Sequence, residues 1–131
     1  MNTKEISVPL LILRIGLGAF LLLFGIDKLV APQTSVDVFA QFYGIAAGTG
    51  TVYLAGGLEV VLALAILAGA WKTLSYGLGF LVHALSTAAS WRELLSPFGE
   101  GHLFIAAIPV LAAFLALFLL RRHDTLLSAG G

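Results

Sequence analysis

Three ionisable side chains lie well inside apolar stretches of this chain: Arg14 in "LRIGLGAFLLLFG", Glu59 in "GGLEVVLALAILAG" and His83 in "GFLVHALS". An arginine brings five donors in a fixed fork, a glutamate accepts hydrogen bonds or carries a proton, and an imidazole does both near neutral pH. Together they form a set that can grip a polar group and exchange protons with it. Lys28, next to Asp27 at the outer end of the first stretch, adds a fourth candidate. Holding any of them away from water is costly, a few kcal/mol for a midplane carboxylate on insertion scales. What solvent surrounds them, and which charges reach each other, therefore decides what they do.

Composition answers the first question. Of 131 residues, 60% are hydrophobic and only 11% charged, with a mean hydropathy of +1.03. Soluble domains carry about a quarter charged residues, so this chain lacks the charge to cover a water-facing surface. Net charge is zero and no basic block points to nucleic acid. There is no cysteine, which removes disulfides, thiol relays, iron–sulfur clusters and thiolate zinc sites.

Four apolar stretches, roughly 8–30, 53–70, 74–91 and 103–120, each cover about 27 Å or more at the helical rise, enough for a hydrocarbon core about 30 Å thick. Their unbroken character excludes barrel strands, which alternate. The expected architecture is an all-α integral membrane four-helix bundle forming one domain over 1–131. The first stretch does not read as a signal peptide, because it is too long, Arg14 interrupts it, and no small-x-small site follows cleanly. Lys4, Lys72, Arg121 and Arg122 fall on the side of the termini, against Lys28 and Arg92 opposite, which predicts both termini in the cytoplasm. Tyr53, Trp71 and Trp91 stand at span ends, where interfacial aromatics belong. Between the first two spans, "SVDVFAQFYG" predicts a short interfacial helix started by Ser35, a cap on the bundle or a lid over a pocket. Pro109 predicts a kink in the last span that frees the carbonyl of Ile105.

Spacing then suggests which residues meet. Arg14, Gly18, Leu21, Gly25 and Lys28 share one stripe, and Ser75, Gly79, His83, Ser86, Thr87 and Ser90 make a second. Glu59 has Ala55, Gly56 and Ala63 on its own face. Small residues admit close helices, so these stripes are expected inward and the bulky Leu, Val, Ile and Phe residues outward. Counted from the terminal side, Glu59 and His83 are about 16 and 14 Å deep and Arg14 about 9 Å. Convergence of Arg14, Glu59 and His83, with Arg14 paired to Glu59, is the resulting expectation. The structural alternatives are that Arg14 snorkels to headgroups, that His83 is a satisfied core histidine, and that Glu59 is protonated interhelical glue. Glu100 and His102 in "SPFGEGHL" form a weaker outer cluster with too few ligands for a metal.

"LRIGLGAFLLLFGIDKLVAP" resembles the first helix of the DoxX family of small four-helix bacterial membrane proteins, "LAGGLEVVLALAILAG" is similar to its second, and "RRHDTLL" to its usual tail. The resemblance implies the bacterial cytoplasmic membrane and a link to quinone-dependent redox work, although wider relatives serve as assembly or cargo factors. Taken with the charges inside the spans, the expectation is a quinone- or lipid-binding subunit of a membrane redox system with Arg14, Glu59, His83 and Lys28 as ligand-binding residues; a non-catalytic scaffold or assembly factor is the alternative. No motif encodes the quinone, and no metal, haem or flavin is expected. Electrons would come from a redox partner protein; membrane lipid is the other expected partner, and a homo-oligomer is compatible with the chain.

Overall fold

The computed structural model describes residues 3–99 and 101–130. Its elements are α1 (Thr3–Val30), α2 (Pro32–Tyr43), α3 (Thr49–Ala68), α4 (Lys72–Ala89), α5 (Trp91–Leu94), a 3-10 turn at His102–Ala106, α6 (Ala107–Leu119) and a second 3-10 turn at Arg121–His123. The described residues contain no strand, only an isolated bridge between Ala70 and Gly130. Three stretches, Lys4–Val30, Thr49–Ala68 and His102–Leu119, are long and apolar enough to cross a membrane. α4 is of similar length but more polar, carrying Lys72, Ser75, Tyr76, His83, Ser86 and Thr87.

α1 and α3 lie antiparallel in close contact because glycines remove side chains where the backbones meet. A Cβ on Gly18 would lie 2.5 Å from Leu67, one on Gly25 2.8 Å from Val60, and one on Gly56 2.8 Å from the Cβ of Lys28. The contacts advance by seven residues on both helices, two turns each, so one register is locked. At the other end of α3, Gly69 (φ +63) closes a Schellman turn in which Ala70 N–H reaches Ala65 O at 2.9 Å, and α4 starts two residues later.

The inward stripes follow the predicted spacing in α1, α3 and most of α4, but Ser86 faces outward and Ser90 is only half-buried. Arg14, Gly18, Leu21, Gly25, Gly56, Ala63, Ser75, Gly79, His83 and Thr87 are buried, whereas Leu23, Leu54, Leu58, Val61 and Leu85 face outward. The apolar core sits toward the terminal end, where Leu10, Leu17 and Leu21 of α1 meet Ala63, Ile66, Tyr76, Phe114 and Leu117.

Two local expectations are corrected. Ser35 does not start α2; Ala31 is its N-cap and Pro32 its first residue, and Ser35 is buried inside the helix. A proline's fixed φ and missing N–H suit the first helical position, so Pro32 takes it. Pro109 does not, as expected, interrupt an unbroken α-helix. It falls in the first turn of α6, where no intrahelical N–H is needed, and the chain before it winds as a 3-10 turn.

Candidate functional site

The locked register decides which charges meet. Arg14 lies level with Gly69, so close that a Cβ on that glycine would stand 3.0 Å from its Nη1. Glu59 is ten residues further along α3, about 15 Å away. The expected Arg14–Glu59 pair is therefore not formed, because α1 projects past the α3–α4 turn instead of starting level with it. Glu59 instead accepts from Lys28, Nζ to Oε1 2.9 Å, and Lys28 stands about 21 Å along α1 from Arg14.

Arg14 points into the C-terminal segment. Its Nη1 donates to Asp124 Oδ1 at 2.8 Å, and its Nη2 to the carbonyls of Leu126 and Leu127 at 2.8 and 2.9 Å. The Tyr76 hydroxyl donates to the second oxygen of Asp124. The side chains of Arg14 and Asp124 are 1% and 0% exposed, and the Arg14 Nε is buried without a hydrogen-bond partner. Beyond Asp124 the chain crosses the α3–α4 turn, with Ala129 N–H on Ala68 O (2.8 Å), Trp71 N–H on Gly130 O (3.2 Å) and the Ser128 hydroxyl on Gly69 O (3.2 Å). Gly69 serves twice here, since its positive φ makes the turn and its bare Cα admits both Arg14 and Ser128.

His83 is held between aromatic rings, stacked on Phe114 and edge-on to Phe20, each centroid 5.5 Å away. Its Nε2 lies 2.9 Å from the carbonyl of Ala107. A carbonyl only accepts, so Nε2 carries the proton in this arrangement. His102 is exposed, with Nδ1 3.2 Å from Pro97 O, and Glu100 lies outside the described residues.

Of the four candidate residues, the structure brings Lys28 and Glu59 together and sets Arg14 and His83 in separate surroundings. Lys28 shares the inward stripe of Arg14, Leu17 and Leu21, and Glu59 that of Val52, Gly56, Ala63 and Ile66. Their side chains keep 15% and 12% exposure. This pair therefore offers an ammonium donor and a carboxylate proton carrier that remain reachable. Among the described residues no group of three or more His, Cys, Asp or Glu side chains comes together to hold a metal ion. Asp124, which completes the Arg14 site, was missed in the sequence because it sits in a polar tail after the last apolar stretch. Its one signal was the need of a buried arginine for an acid on the terminal side.

An all-helical chain with three membrane-capable helices and ion pairs inside the bundle is an integral, multi-pass membrane protein. The DoxX family model matches residues 9–92, and the chain belongs to that family. The match takes in Arg14, Lys28, Glu59 and His83 and stops before α6 and Asp124. No curated protein and no solved structure matches the chain significantly.

Proposed function

We propose that this protein is a membrane subunit of a redox system that binds a quinone head group at the Lys28–Glu59 pair. The supporting observation is the contrast between the two ion pairs: Arg14–Asp124 is sealed, whereas Lys28–Glu59 lies on inward stripes at the middle of α3 and keeps some exposure. Reduction of a quinone to the quinol takes up two electrons and two protons, which leave again on oxidation. Lys28 donates to one of its carbonyl oxygens, and Glu59 delivers or accepts a proton. The electron carrier resides in a partner protein, so the chain alone is catalytically silent. In this reading α4 is the fourth span, one domain fills 1–131, and both termini face the cytoplasm of a bacterial cell. Single cysteines at Gln41 and Lys72 test the orientation, since labelling of Lys72 from outside reverses it.

The quinone site is tested with purified protein titrated with quinones of several tail lengths. Selective binding to the native state raises the melting temperature, and Glu59→Gln reduces the shift while keeping the fold. A wild type indifferent to every quinone overturns the reading. A scaffold or assembly role is the second reading, favoured by the fact that Arg14, Lys28, Glu59 and His83 each have a partner within the chain. It requires Glu59→Gln to be fully active in the host.

A further inference from the structure

The antiparallel pair α1 and α6 leaves a furrow on the outside of the bundle, away from the Lys28–Glu59 pair. Its inner part, of roughly 290 Å³, runs over Leu13, Gly16, Leu17 and Phe20 beside Val110. Its outer part, of roughly 480 Å³, continues from Leu13 over Pro9 and Ile6 to Glu5, with Ala116 and Leu120 opposite. Both volumes are of the order of small-ligand pockets. Leu13 lines both parts, which follow one another along α1.

Length and charge identify the occupant. From Glu5 to Phe20 the furrow runs about 22 Å at the helical rise, close to half of a bilayer about 40–45 Å thick with its headgroups. A single-leaflet lipid fits that span with its head at Glu5 and its tail at Phe20. The lining is apolar except at the mouth. There Lys4 precedes Glu5, and Arg121 and Arg122 follow Leu120, three cations against one carboxylate. Arg121 is engaged by the Thr73 hydroxyl (2.9 Å) and the Phe118 carbonyl (2.9 Å), whereas Lys4 and Arg122, within two residues of the mouth-lining Glu5 and Leu120, are exposed. A docked helix is disfavoured because Gly16 and Ala116 are the only small residues among a bulky lining that includes Leu13, Leu17 and Phe20, and close helix contacts use small residues.

We propose that this furrow seats an acyl chain of an anionic phospholipid, with the phosphate held by Lys4 and Arg122. The site is independent of the quinone reading, and its test uses no quinone. The full chain, purified in mild detergent with equal phosphatidylglycerol and phosphatidylcholine, is examined by native mass spectrometry for retained lipid. Phosphatidylglycerol is expected in preference. Lys4→Gln and Arg122→Gln each lower that preference roughly fivefold, leaving phosphatidylcholine retention unchanged. Gly16→Leu fills the furrow at a position where an added Cβ meets nothing within 4 Å, so it folds and reduces retention of both lipids. Ala116→Leu does the same from the opposite wall. Equal retention of the two lipids, a preference unchanged in both charge variants, or a dimer that Gly16→Leu dissociates without changing lipid retention overturns the proposal.

Discussion

Arg14 on the first helix and Asp124 in the C-terminal segment, 110 positions apart, meet at 2.8 Å with both side chains sealed from solvent. The arginine also holds two carbonyls of the same segment, so a single side chain straps the end of the chain across the α3–α4 turn. A snorkelling arginine would point its fork to the headgroups; this one is an internal anchor.

Breaking that anchor on one side leaves a buried charge, so Arg14→Met and Asp124→Asn are each expected to cost about 3–5 kcal/mol. The double variant should lose clearly less than the sum. Arg14→Met combined with Glu59→Gln should be additive, because Arg14 lies level with Gly69, about 15 Å along α3 from Glu59. Denaturation of detergent-solubilised protein measures both cycles, and coupling of Arg14 to Glu59 in place of Asp124 would falsify this arrangement.

The Lys28–Glu59 pair makes a separate prediction. Lys28→Met strands a carboxylate inside the membrane and should destabilise by a few kcal/mol. Exchanging the charges, with Lys28→Glu and Glu59→Lys together, should recover part of that loss. A swap no better than the worse single variant would show that the two side chains are not each other's partners.

Packing glycines should separate sharply from open ones. Gly56→Ala places a methyl 2.8 Å from the Cβ of Lys28 and 3.0 Å from the Gly25 carbonyl, a backbone atom that cannot step aside. A loss of about 1–3 kcal/mol is expected. Gly57→Ala meets nothing within 4 Å and should be neutral or gain up to about 1 kcal/mol of helix propensity. Equal melting temperatures for the two variants would contradict the close approach of α1 and α3.

His83→Phe keeps ring volume between Phe20 and Phe114 but removes the donor to Ala107 O. Ala107 O keeps its helical partner, the Leu111 N–H, so losing the imidazole donor should cost about 0.5–1.5 kcal/mol, and His83→Gln should recover part of it by restoring an N–H. If His83→Phe is as stable as the wild type, the hydrogen bond contributes nothing and the stacking alone holds the ring.

Much of the architecture was legible in one dimension because the bilayer imposes a simple demand. Long apolar runs must close their backbone hydrogen bonds internally, so helices follow from the runs themselves. The small and polar stripes point inward as the three- and four-residue spacing requires, apart from Ser86, which is exposed near the end of α4. What spacing left open was the partner of each charge. Counting depth from the ends of apolar runs treated α1 as starting level with α3 and α4, and Arg14 then seemed within reach of Glu59. α1 extends past that turn, and a shift of a few turns hands Glu59 to Lys28.

The sequence by itself determined an all-helical membrane chain, its inward faces, its family and the small set of charges inside it. Each of these depends on local composition or periodicity. Only the tertiary structure decided that Gly18, Gly25 and Gly56 set the register, that Asp124 returns to seal Arg14, and that His83 rests on the Ala107 carbonyl. The physical reason is that an ion pair depends on a few ångströms of helix offset. That offset is set by how two packed surfaces interlock, and no single helix carries it.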